Sequence, residues 1–433
     1  MCILQKLFSS TFKNTPGATT KGIFIPLLLP RLATSSTTGK LLSKRSKVVV
    51  LLSVVHKYNR RPTPCQLAMK MASSAMRRSA QMLSITASGV PPLSTQRVAL
   101  IESEGLRVQN LDPLGFEIHG ADVRNRLSAP VIAAIKEEMA YRGFVVFKGQ
   151  TNLSATELVN ASKWWGAKEI NSTHGVHPAT PDMNRDIFRL SNDQQRGILG
   201  VGPQWHNDGS FEADTFSHSA YYMVRAPEDG GGTHFAHQGV AFDALPEEKK
   251  EFWQRLVSVN ANGGVTHPLV HAHPISGRKS VWLHLGMTGA VLERLPEEGV
   301  TIEELQQEPA SLEQLRLLNK DQMTELFNDY NDLLDASFEL GFGIRYQYTT
   351  GDLVIIDNWA VAHRASPEAH MPAEQQGLRI MDRVTITSPR DLKPHFGLPQ
   401  HINIFGSHAL NKDGIWQSGG VGFRWKDDIP MQN

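Results

Sequence analysis

The sequence predicts a mainly β chain folded as a double-sheet jelly roll with helices packed outside. Three observations predict it. Short apolar segments broken by turn residues crowd residues 186–240. Strand textures return at 343–359 and 377–388, and helical textures fall between the strands instead of alternating with them one for one.

Residues 1–90 stand apart. They hold 14 Lys/Arg and no Asp or Glu, and are rich in Ser and Thr, the composition of an organelle-targeting segment. A mitochondrion is favoured over a plastid, and a cytoplasmic location follows if the stretch is not a transit peptide. Its apolar runs, GIFIPLLLP (22–30) and VVVLLSVV (48–55), are too short to span a bilayer. A single domain is expected over 95–390. RVALIES and LRVQNLD read as short strands and 127–143 as a helix ending at Gly143. GFVVFKG (143–149) reads as a buried strand, and a further helix follows, with Ser154 or Thr156 as its cap. DIFRLSN, HNDGSF, SHSAYYMVRAP and GGGTHFAHQGV read as β segments, 245–258 as helix and 278–286 as strand. A helical insert is expected over about 289–340, and a C-terminal extension packed on the domain over 391–433.

Outside the basic stretch, the chain holds 30 of the 44 Lys/Arg and all 43 Asp/Glu, a net charge of −13 with histidine neutral. Such a body lacks the basic surface that nucleic acid requires, and a small anionic ligand would need local cations in its pocket. Both cysteines, Cys2 and Cys65, lie in the N-terminal stretch. The body therefore has no disulfide, thiolate metal site or cysteine nucleophile, and any metal there is held by histidine and carboxylate.

QWHNDGSF places His206 and Asp208 two residues apart, a spacing that puts both side chains on one face of an extended strand. VIIDNWAVAHRAS offers His363 as a third ligand just after an apolar run. Two histidines and one carboxylate on one side of a metal leave its other positions open, the facial triad of Fe(II) oxygenases. Zinc accepts the same ligands. GLRIMDRVTI adds Arg379 and Arg383, four residues apart and so on one face of a strand, roughly 13 Å apart along it. Two inward guanidiniums require anions, because an unpaired buried charge is costly.

The ordered series WHNDGSF, GGGTHFA, HPLVHAHPISGRKSVWLHLGMT, GDLVIIDNWAVAHRA and LRIMDRVTI resembles the taurine dioxygenase and 2,4-dichlorophenoxyacetate dioxygenase family, over residues 98–388. The resemblance implies a double-stranded β-helix of the cupin-like kind, Fe(II), 2-oxoglutarate as cosubstrate and O2. It implies hydroxylation of a small organic anion of sulfonate or carboxylate type, with release of succinate and CO2. His206, Asp208 and His363 match the iron ligands, Thr233 and Arg379 the residues that hold 2-oxoglutarate, and Arg383 the arginine that binds the substrate's anionic group. The two arginines could exchange roles. Met287 stands where taurine-specific members place an aromatic residue, and Gly202 near their substrate-contacting Asn. His177 and His174 compete for the place of a substrate histidine. The resemblance also allows a homo-oligomer and implies neither nucleic acid nor membrane as a partner. His267, His271 and His273 are expected to be structural, and His234 and His237 flank the cosubstrate turn. Two other readings stand beside this one: a zinc-dependent hydrolase or lyase on a cupin-like barrel, and a non-catalytic family member.

Overall fold

The computed structural model describes residues 89–166, 174–261, 263–306 and 309–387. The targeting segment expected over 1–90, apart from its last two residues, and the extension expected over 391–433 lie outside them. Among the described residues, no helix is long and apolar enough to cross a membrane.

Two sheets face each other. The larger has seven strands in the order Arg107–Asn110, Phe116–His119, Phe144–Phe147, Leu353–Asp357, Phe216–Arg225, Ile380–Thr387 and Phe188–Ser191. The smaller has Gly343–Tyr346, Thr233–His237 and Val361–Ala365, all antiparallel. The chain passes from large sheet to small at Gly230–Thr233 and again between Asp357 and Val361. This alternation makes the jelly roll, and it brings residues distant in sequence to one interior. Phe144 of the large sheet stacks on Phe235 of the small one, with ring centroids 4.5 Å apart. Around this pair Leu114, Val146, Phe188, Met223, Val354, Ile356, Val361 and Met381 are buried. Helices Ala129–Arg142 and Ala155–Ser162 cover the outer face of the large sheet, and helix Lys320–Asp335 covers the small one. A four-stranded sheet, Leu315–Leu317, Thr288–Arg294, Leu256–Asn260 and Thr266–Pro268, lies to the side.

Local signals account for most element ends. Ser154 caps its helix in a reciprocal box with Glu157, and Gly143 ends the first long helix at φ +84°. Four expectations are corrected. RVALIES forms the helix Thr95–Glu102, not a strand. Ser94 caps it, and Arg97 bonds Glu137 and Glu138 of the neighbouring helix at 2.7 Å. A tertiary ion pair thus decides between two local patterns. The helix expected over 245–258 stops at Gln254, because alternating Val257 and Val259 pair with the strand Thr288–Arg294. That strand also removes the start of the insert expected at 289, and Leu315–Leu317 interrupts it further. Last, HNDGSF is not a continuous strand: His206 forms a single bridge to His363, and the chain turns at Asp208.

Replacing Phe235 by Ala removes the stacking partner that joins the two sheets. We expect a loss of about 3–5 kcal/mol in chemical unfolding. A loss under about 1 kcal/mol would mean that the sheets are held together elsewhere.

Candidate active site

His206 faces His363 across a single bridge, each backbone N–H donating to the other's carbonyl at 3.0 Å. Their side chains converge with Asp208, so that one potential ligand atom from each lies within 4.8 Å of the others, all buried. Asp208 reaches this place through the turn that follows His206. Two asparagines hold the turn. Asn358 accepts from the Asp208 N–H at 2.9 Å and donates to the carbonyls of Asp208 and Phe216, each at 2.8 Å. Asn207, between the two ligands, donates to the carbonyls of Asn358 and Val361 and to Gln238.

The Asp208 carboxylate is heavily engaged. Ser219 and Tyr221 donate to its Oδ2 at 2.7 and 3.0 Å, and Arg383 donates to its Oδ1 at 2.7 Å. Burial alone would raise this carboxyl, but the Arg383 guanidinium holds it well below the ordinary carboxylate range. Burial pushes His206 down and His363 down to about 3, so both imidazoles are neutral and available as ligands. The Gln204 carbonyl lies 2.8 Å from Nδ1 of His206, which leaves Nε2 to face Asp208. Two neutral imidazoles and one ionised carboxylate suit a divalent cation of intermediate softness, and this donor set fits Fe(II).

Beside the triad a small cleft is lined by Thr233, Tyr221, Arg379, Arg383, Leu190 and Met381, with both histidine ligands at its edge. Arg379 is buried, and its Nε donates to the Gly231 carbonyl at 2.7 Å. No carboxylate among the described residues pairs with its guanidinium. Thr233 Oγ1 accepts from Tyr348 at 2.8 Å, which leaves its own hydroxyl hydrogen to donate. Gly232 must be glycine here, since a Cβ would lie 2.2 Å from the Tyr346 carbonyl oxygen. An anion entering this cleft would meet a guanidinium and a hydroxyl at one end and the metal site at the other.

Residues 107–385 match the family described as taurine catabolism dioxygenase TauD, TfdA. The chain belongs to this family. Its relatives include the alpha-ketoglutarate-dependent sulfonate dioxygenase of Saccharomyces cerevisiae, 23% identical over 303 residues that cover 64% of this chain and 66% of that protein. The alkylsulfatase of Acinetobacter baylyi is 24% identical over 67% of this chain and 89% of its own. The 2,4-dichlorophenoxyacetate dioxygenase of Cupriavidus pinatubonensis is 25% identical over 57% and 87%. A taurine dioxygenase from Burkholderia xenovorans superposes with a TM-score of 0.50 at 20% identity, covering 66% of this chain and 92% of that one, and so shares the fold. The protein is an Fe(II)- and 2-oxoglutarate-dependent dioxygenase, and O2 is its third reactant.

On the far side of the triad, this TauD-family chain has a cavity of about 390 Å³ lined by His174, Phe211, Met287, His284, Arg383 and Ala261, among others. Of the two histidines that compete for the place of a substrate histidine, His174 lines this cavity and His177, the one expected there, does not. The His177 ring lies 3.0 Å from the Gln194 carbonyl, accepts from the Ala179 N–H, and does not line the cavity. His174 stacks on Phe188 at 4.1 Å, and burial followed by Arg383 pushes it down to about 4. Gly202 does not contact substrate through a side chain. It lies against the His206 ring, where a Cβ would stand 2.9 Å from Cε1. His267 and His273 are tied to Ser210 and Asp357, His237 caps the helix Gln238–Asp243, and His234 meets Arg364, so none of the four joins the triad.

Sequence reasoning missed Asn207, Ser219, Tyr221, His284 and Asn358. Asn207 lies between two recognised ligands in WHND, and Asn358 stands five residues before His363 in the same motif, which is a usable signal. Tyr221 comes from a strand whose register the sequence does not fix, and His284 from the loop after the strand Lys279–Val281. Asn358→Ala should weaken Fe(II) binding about 10- to 100-fold in anaerobic titration, because it frees the turn that carries Asp208. An unchanged affinity would mean that the turn holds its shape without this side chain.

Proposed function

We propose that this dioxygenase hydroxylates a small organic monoanion of sulfonate, sulfate or carboxylate type, held in the 390 Å³ cavity by Arg383 and His174. One observation carries the reading: among the described residues, Asp208 is the sole carboxylate lining either cavity, whereas two buried guanidiniums line them. With Fe(II) bound, the formal charges of metal, Asp208, Arg379 and Arg383 sum to plus three. The 2-oxoglutarate dianion removes two. A buried net positive charge remains, and a monoanion neutralises it. The ammonium group of an amino-sulfonate would find no free carboxylate among the lining residues, which favours an uncharged body on the substrate. Phe211, Met287, Val201 and Ala261 give that body an apolar wall.

Bound together, Fe(II) and 2-oxoglutarate supply the oxygen chemistry that hydroxylates a C–H bond, with succinate and CO2 as co-products. The chain's own part is positional. His206, Asp208 and His363 would hold the metal. Thr233 and Arg379 would hold the far carboxylate of the cosubstrate, with Tyr221 beside it. Arg383 would orient the substrate's anionic end, and burial of the triad and both arginines strengthens each charge interaction there. A zinc hydrolase would have no use for a cleft lined by Arg379, a buried guanidinium with no carboxylate partner among the described residues. Residues 1–90, basic and free of acid, support a mitochondrial address for the enzyme.

Three experiments follow. Among alkyl sulfates, sulfonates, carboxylates and amino-sulfonates, a simple anion should stimulate succinate formation, with amino-sulfonates the weakest. Stimulation only by amino-sulfonates or cations would overturn the substrate reading. Arg379→Ala should raise the 2-oxoglutarate concentration needed for half-maximal rate at least about tenfold. An unchanged requirement removes the role given to Arg379. For the address, a fluorescent protein carrying residues 1–90 should enter mitochondria, and a diffuse signal contradicts it.

A further inference from the structure

One polar residue of the substrate cavity has no part in the reading above, on which this inference rests. His284 follows the strand Lys279–Val281, and its ring packs against the metal ligand His206, with centroids 4.9 Å apart. Its Nδ1 accepts from the backbone N–H of Gly286 at 3.1 Å. That bond fixes both the ring orientation and the tautomer: an imidazole that accepts at Nδ1 carries its hydrogen at Nε2. Gly286 permits the close turn, since a Cβ there would lie 3.1 Å from Gln204 Oε1 and 3.4 Å from His284 Cε1. Among the described residues, nothing accepts the Nε2–H of His284, and the half-buried ring lines the cavity together with Arg383.

Arg383 presents a matching feature. Its guanidinium bonds Asp208, a second metal ligand, yet its buried Nε has no partner. Two donors therefore stand at one cavity, each braced on a different ligand of the same metal site. We propose that His284 is a substrate-contacting, specificity-determining residue whose Nε2–H donates to the substrate's anionic group alongside Arg383, so that the site prefers a three-oxygen oxyanion to a carboxylate. A sulfate or sulfonate offers three oxygens in tetrahedral array and accepts from donors in different directions at once. A planar carboxylate offers two, both in one plane.

The test is anaerobic equilibrium titration of the Fe(II)–2-oxoglutarate holoenzyme, without turnover, using hexyl sulfate and heptanoate as probes. The wild type should bind hexyl sulfate more tightly. His284→Leu should lose about 10- to 100-fold in hexyl sulfate affinity and less than about threefold for heptanoate. His284→Gln, which keeps an N–H donor of similar reach, should restore hexyl sulfate binding to within about fivefold. Each shift is read against the 2-oxoglutarate dissociation constant of the same variant, which a general loss of fold would also move. An unchanged hexyl sulfate affinity in His284→Leu, an equal loss for both probes, or no rescue by Gln overturns the assignment. If no organic anion binds or stimulates the wild type, the functional reading itself falls. If the wild type responds and His284→Leu matches it, only the role of His284 falls.

Discussion

Asp208 places a negative charge in the interior, and the groups around it answer the cost of doing so. Ser219, Tyr221 and Arg383 all donate to its two oxygens, and the histidine ligands face it from two sides. A lone buried carboxylate would take up a proton and cease to be a strong metal ligand. Here the surroundings keep it ionised. The same arrangement couples the metal site to the substrate cavity, because the guanidinium that supports Asp208 also lines that cavity. Metal, cosubstrate and substrate are thus linked through one carboxylate and one arginine.

The two-sheet architecture makes this convergence feasible. Ser219, Tyr221 and Arg383 lie on adjacent strands of the large sheet, with Tyr221 directly opposite Arg383 in register. His363 and Thr233 lie on paired strands of the small sheet, in register with Phe235 and Ala365. The triad therefore sits between the sheets, at the end of the aromatic core built on Phe144 and Phe235. The Asn207–Asn358 pair ties the turn bearing Asp208 to the crossing between strands Leu353–Asp357 and Val361–Ala365. Core packing and ligand geometry are consequently one problem for this chain.

Much of this was legible in the sequence because it depends on short spacings. His206 and Asp208, Arg379 and Arg383, and the glycine turn before Thr233 are each local, and their residue types restrict the chemistry. His363 could be proposed because it follows a long apolar run. What could not be read depends on register across strands or on tertiary ion pairs. Tyr221 faces inward and Tyr222 outward, yet the two read alike in SAYYM. The helix Thr95–Glu102 is decided by Arg97 meeting Glu137 and Glu138, some forty residues away. His174 and His177 lie three residues apart, and only the packing of His174 on Phe188 separates cavity wall from loop support.

The central claim is that two imidazoles and one carboxylate supply every protein bond to the metal, although a third histidine, His284, packs against one of the ligands. X-ray absorption on the anaerobic Fe(II)–2-oxoglutarate holoenzyme tests this directly. The account predicts a nitrogen and oxygen shell with scattering from two imidazoles, falling to one in His363→Ala. Scattering from three imidazoles, or a wild-type spectrum unchanged by that substitution, would contradict it.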